Sequence, residues 1–131
     1  MYNPKPQKSM IHTNELMLGN WVRYKMEDDV ISNPVKVELI SNQCVDVTNG
    51  ENSWDVDEGD LIGIPITEEL LEKCGIYAWF LYYTNKEGFK IYHSSSKWYI
   101  CAGDTNIYVD FLHELQNAYY LLTKKHLEIC L

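Results

Sequence analysis

Runs of Lys or Arg are missing from this sequence; the longest is Lys124-Lys125. Binding a phosphate backbone calls for clustered cations. Here nineteen acidic residues stand against eleven basic ones, for a formal charge of −8. Nucleic-acid binding is disfavoured on that ground. An acidic surface serves solubility and, more rarely, imitates DNA toward a basic partner. Long apolar runs are missing too, and none reaches the roughly 20 residues of a bilayer-spanning helix. The opening "MYNPKPQKSMIHTNE" has no apolar segment of the kind a signal peptide carries. The expectation is a cytoplasmic protein that needs no membrane.

Paired cysteines are also lacking. Cys44, Cys74, Cys101 and Cys130 are scattered, with no C-x-x-C and no Cys/His cluster, so the sequence supports no metal site. In a reducing compartment free thiols are the default. Phosphate loops, dinucleotide fingerprints, G-x-S-x-G and H-E-x-x-H are absent. Two stretches imitate catalytic or metal motifs and fail on inspection. In "DVDEGD", counting a calcium loop from Asp55 puts Gly59 at position 5, Asp60 at 6 and Ile66 at 12, three mismatches. Ser94-x-x-Lys97 has the spacing of a penicillin-binding nucleophile, but it lies in a turn between aromatic segments rather than at a helix start. No cofactor is expected, and no enzyme.

What the chain has is apolar and aromatic material: 46% and 13%, with ten Tyr and four Trp, too much for a disordered chain of 131 residues. One domain, with two sub-structures sharing a core, fits that length. Residues 1–14, with two prolines, read as a flexible N-terminal tail. "GNWVRYKM", "PVKVELIS" (Val35, Val37 and Leu39 on one side), "QCVDVTNG" and "SWDVDEGDLIGIP" alternate as short strands. Asn49-Gly50 marks a hairpin turn. These predict a small SH3-like β-barrel or curled sheet over residues 15–66.

Residues 67–131 read as a short linking helix, an antiparallel β-meander and a C-terminal helix, an α+β fold in all. Thr67 suits the N-cap of "EELLEKCG", and Gly75 the helix stop. "AWFLYYTN", "FKIYHSS", "KWYICAG" and "NIYVD" supply the meander. Asp110 is placed to cap the last helix, which runs to about Thr123. Leu112, Leu115, Tyr119 and Leu122 form its packed stripe, and "HLEICL" alternates as a final strand.

His113 and Glu114 are the best acid–base candidates by residue type. Adjacent helical positions diverge by about 100°, so the two do not share a face. His113 and Asn117 do, and read as a polar, partner-binding face. His93, at a strand end, carries no signal of a ligand. Trp21, Trp54, Trp79 and Trp98 lie on four segments. Most serve a core, but exposed together they would mark a binding face. Trp21 and Trp54 are the candidates.

Three stretches carry a family resemblance. "ELMLGNWVRYK" resembles the "ELRIGNLVYY" that opens short uncharacterised proteins of Bacteroides-type bacteria and their phages and prophages. "DLIGIPITEELLEKCGI" is similar to that family's "DIEPIPLTEEWLLKFGF", and "YVDFLHELQNAYYLLTKKHLEI" to its "YVHQLQNLYFALTGEELT". The similarity spans roughly residues 15–131. It implies a shared fold and a mobile-element setting, hence the host cytoplasm, and brings no activity with it. Two departures are local. Gly63 replaces an acid-proline lead-in, and Lys124 stands where the family has the glycine that ends the helix.

The reading is a phage- or prophage-derived, non-enzymatic accessory protein that binds a host or phage protein, with anti-defence one such role. The alternative is a small-molecule or nucleic-acid binding module using the N-terminal barrel, by fold analogy. Homo-oligomers are compatible with either.

Overall fold

The computed structural model describes residues 11–131. It is α+β, built on two five-stranded antiparallel sheets and a C-terminal helix. Its two compact units meet in sequence between Ile64 and Pro65, two residues before the division expected. Most of the expected tail, residues 1–10, lies outside the described residues. Residues 11–14 are not tail: Ile11 and Thr13 are buried, and Thr13–Glu15 form a 3₁₀ turn. The cause is local, because Ile11 joins the apolar core and Thr13 Oγ1 donates to the Asn42 carbonyl at 3.2 Å.

In the first unit, β1 (Trp21–Tyr24), β2 (Val35–Ile40), β3 (Cys44–Thr48), β4 (Ser53–Asp57) and β5 (Leu61–Ile62) assemble in the order β4-β3-β2-β1-β5. Alternation puts Val22, Val35, Val37, Val45, Val47 and Val56 on one buried face, with Ile11, Leu16 and Leu61. Each such burial stabilises by about 1.5–3 kcal/mol. Leu39 breaks the expected pattern. The β2–β3 register shifts between Val37 and Leu39, and that irregularity turns Leu39 out to solvent. Gly50, at φ +100°, completes the β3–β4 turn, where Asn49 Oδ1 accepts from the Glu51 and Asn52 amides. A 3₁₀ turn, Glu58–Asp60, leads into β5.

The second unit opens with α1 (Glu68–Lys73), capped as expected: Thr67 Oγ1 accepts from the Leu70 amide at 3.1 Å. Next come β6 (Tyr77–Trp79), β7 (Tyr82–Thr84), β8 (Lys90–Ser94), β9 (Lys97–Ala102) and β10 (Thr105–Val109), a meander in the order β10-β9-β8-β7-β6. "AWFLYYTN" is thus two strands, not one. Trp79 pairs with Tyr82, and Phe80-Leu81 make the tight turn, with Phe80 at φ +53°.

Helix α2 (Leu112–Thr123) takes Phe111, not Asp110, as its N-cap. The capping group comes from inside the helix: Glu114 Oε1 accepts from the amides of Asp110 and Phe111 at 2.7 and 3.1 Å. Leu112, Leu115 and Tyr119 are buried as expected. Leu122 is exposed, one turn beyond the contact of Tyr119 with Phe89. The helix stops at Lys124, which adopts the left-handed conformation at φ 64°. "HLEICL" forms no strand; only Leu127 of its apolar residues is buried, and Cys130 bonds back to Lys73. Among the described residues no helix is long and apolar enough to cross a membrane.

Candidate functional site

Of the residues singled out from sequence, His113 and Asn117 belong to the second unit and Trp21 and Trp54 to the first. His113 is fully buried in the first turn of α2, and Asn117 is half-buried. The expected polar face led by His113 is therefore corrected: the helix turns this position inward, where an exposed partner cannot reach it. In the first unit Trp21, on β1, and Trp54, on β4, have two strands between them and lie on opposite faces. Trp21 pairs with the exposed Lys36, whose Nζ lies 5.4 Å from its ring centre. Trp54 pairs with the buried Val47 and packs edge-on against Tyr24 at 6.0 Å. His93 lies flat on Trp98, ring centres 3.9 Å apart, as a cross-strand pair.

A different constellation stands on the outer face of the second sheet. Each strand contributes an aromatic to one row, Trp79, Tyr82, Tyr92, Tyr99 and Tyr108, and β6 adds Tyr77 on the same side. Register produces the row, since Trp79 pairs with Tyr82, Tyr92 with Tyr99, and Tyr99 with Tyr108. Successive tyrosine rings are 5.7, 5.4 and 5.6 Å apart from Tyr82 to Tyr108. Aromatic pairs directly across a sheet contribute roughly 0.2–1 kcal/mol each. Period-two alternation sends Ile91, Trp98, Ile100 and Val109 to the opposite, buried face.

The ends of the row are its most exposed parts. Trp79 is 54% exposed and Tyr108 58%, while Phe80 and Leu81, at the turn beside Trp79, reach 89% and 88%. Phe80 meets Trp79 edge-on at 5.0 Å. At the other end, Ser94, Ser95, Lys97, Tyr99, Asn106 and Tyr108 line an open depression of about 600 Å³. The face therefore carries an apolar knob at one side and a shallow hollow at the other.

Charge is distributed unevenly. No residue of β6–β10 is acidic, whereas β2, β3 and β4 carry Glu38, Asp46, Asp55 and Asp57. Two cations belong to the aromatic face, Lys90, whose Nζ lies 4.8 Å from the Tyr82 ring centre, and Lys97. On the inner side, burial raises the Tyr83 pKa, and the charge of Glu68 adds to the effect.

Chemically, the face offers ring edges, hydroxyls, two ammonium groups and two bare apolar side chains. Such a set recognises surfaces by area and shape. Sequence reasoning missed the row because "AWFLYYTN" holds no Gly, Pro or Asn between Trp79 and Tyr82 to announce a turn. The signal available was a Tyr or Trp in every meander strand, which becomes a row only once register is known. Comparison with family models, curated proteins and solved structures finds no match for this chain.

Proposed function

We propose that this is a non-enzymatic binding protein that engages a protein partner through the aromatic outer face of its second sheet. The observation that carries the reading is the Phe80-Leu81 knob beside the Trp79–Tyr108 row, on strands without a single carboxylate. A cross-strand ladder alone would account for the tyrosines as sheet stabilisers. It gives no reason for two large apolar side chains at nearly full exposure in a tight turn, one of them held at positive φ. A non-glycine residue there is uncommon and costs about 1 kcal/mol. Exposed Trp, Tyr and Phe clusters are what interface hot spots are made of.

The resemblance to Bacteroides, phage and prophage proteins supplies the setting: an accessory protein in the host cytoplasm whose partner is a host or phage protein. We read the first unit as an SH3-like barrel. The antiparallel order β4-β3-β2-β1-β5, with a 3₁₀ turn before β5, supports that reading.

The test is affinity capture from host lysate with the wild-type chain and two variants, Leu81→Asp on the face and Lys36→Asp on the first unit. A stoichiometric protein captured by the wild type and Lys36→Asp, and lost with Leu81→Asp, is the expected result. Equal capture by all three, or a captured oligonucleotide in place of a protein, overturns it.

A further inference from the structure

A second site lies at the C-terminal end of α1, apart from the aromatic row. Cys74 closes that helix and is buried; Cys130 is exposed. Fifty-six positions separate them in sequence, yet the Cys130 amide donates to the carbonyl of Lys73 at 3.0 Å. Lys73 is the residue bonded to Cys74. That contact sets the two cysteines beside each other, and a disulfide asks for α-carbons roughly 4.4–6.8 Å apart. Both cysteines line one open cavity of about 1070 Å³, with Tyr119, Lys125 and His126.

We propose that Cys130 and Cys74 are a thiol–disulfide exchange pair, Cys130 attacking and Cys74 resolving, whose substrate is a small external disulfide admitted through this cavity. The Cys130 thiolate attacks one sulfur of the external disulfide. Its S–S bond breaks, one thiolate leaves, and a mixed disulfide forms on Cys130. Cys74 Sγ then attacks Cys130 Sγ, its proton passing to solvent, and the second external thiolate leaves. Two protein thiols are oxidised and one external disulfide is reduced to two thiols, so electrons balance with no other reagent. An external thiol reverses both steps.

The order follows from accessibility. Cys130 is open to a solute, and Cys74 is not. Burial, with a smaller contribution from Cys130, pushes the Cys74 thiol up to about 12. A thiol of that kind is a poor first nucleophile near neutral pH, because the thiolate is the reactive form. It acts instead on a sulfur already delivered beside it. The resulting bond ties residues 124–131 to the end of α1, so the backbone contact at Lys73 becomes a covalent clasp.

The experiment uses glutathione disulfide as probe on the reduced full chain, read by intact mass and by peptide mapping under non-reducing conditions. The expected product is a Cys74–Cys130 linked peptide that disappears with dithiothreitol. Cys130→Ser abolishes it. Cys74→Ser and Cys74→Ala both trap glutathione on Cys130, and two substitutions guard against a folding defect in either, checked by circular dichroism. Cys101→Ser changes nothing. Persistence of the mixed disulfide on Cys130 in the folded wild type, with no Cys74 linkage, overturns the proposal. So does preferential linkage of Cys130 to Cys101 or Cys44.

Discussion

Asp46 and Asp55 stand directly opposite one another on β3 and β4, carboxyl to carboxyl. The hydrogen bond from Asp55 is the main reason the Asp46 pKa is raised, with burial, the charge of Asp55 and that of Glu38 behind it. A shared proton satisfies the pair, and two negative charges there repel. The sign follows from linkage. A carboxyl with a raised folded pKa favours the folded state at low pH and loses that contribution as pH rises through the folded value. Removing one charge relieves the repulsion. Asp55→Asn should therefore be more stable than the wild type at pH 7, with the difference shrinking by pH 4. Urea unfolding at the two pH values checks this, and an advantage confined to pH 4 would contradict it.

Cys74 gives the opposite end of the pH scale. Its thiol is held protonated to about 12 by burial, against 9.0 in the unfolded chain. Between those values the unfolded state loses a proton that the folded state keeps, so stability falls as pH rises. The slope from one such group is about 1.4 kcal/mol per pH unit. Under reducing conditions Cys74→Ala should cost about 1 kcal/mol at pH 7 through the lost sulfur. It should also flatten the decline from pH 9 to 11 by that slope. Parallel pH profiles for the two proteins would show that Cys74 is not the group responsible.

Phe80 separates binding from folding. Phe80→Gly removes the knob and relaxes a left-handed position that costs a non-glycine residue about 1 kcal/mol. It also forfeits the edge-on contact with Trp79, of similar size. The two offset, so the unfolding free energy should stay within about 1 kcal/mol of wild type while partner capture is lost. A large stability loss in thermal melts would mean that the ring packs rather than projects.

How much of this was legible in the sequence depends on which contacts set the feature. Local chemistry was readable: Thr67 caps α1, Asn49-Gly50 turns β3 into β4, and valine alternation builds the first sheet. Features decided by register or by distant neighbours were not. The irregularity after Val37 exposes Leu39, and the turn at Phe80-Leu81 uses residues with no turn preference. His113 has the residue type of a surface histidine and the position of a buried one. The aromatic row exists only because five strands align, which no spacing along the chain announces. The juxtaposition of Cys74 and Cys130 likewise depends on how residues 124–131 return to α1.

The N-terminus of α2 offers a direct test of its cap. Glu114 alone accepts from the amides of both Asp110 and Phe111. Asp110, the residue that sequence pattern favours as the cap, is outside the helix. Glu114→Ala should destabilise by about 1–2 kcal/mol, and Glu114→Gln should recover much of that, since an amide oxygen also accepts. Asp110→Ala should change little. Equal losses for Glu114→Ala and Asp110→Ala in denaturant titrations would return the capping role to Asp110.

Lys124 closes the same helix at φ 64°, its amide donating to the Tyr120 carbonyl at 2.8 Å. Thr123 braces the stop from both sides: its Oγ1 donates to the Tyr119 carbonyl at 2.7 Å and accepts from the Lys125 amide at 3.1 Å. The helix thus ends where a glycine would end it, without running on, and the left-handed backbone remains a cost of roughly 1 kcal/mol. Lys124 makes no ion pair among those resolved for the described residues; the pair to Glu87 belongs to Lys125. Lys124→Gly should therefore raise stability by up to about 1 kcal/mol, with α2 unchanged in length. The gain is limited by the greater freedom that glycine gives the unfolded chain. Thermal unfolding and helix-sensitive circular dichroism measure both quantities. A fall in stability, or a longer helix, would show that the lysine side chain, and not the backbone geometry, sets this end of α2.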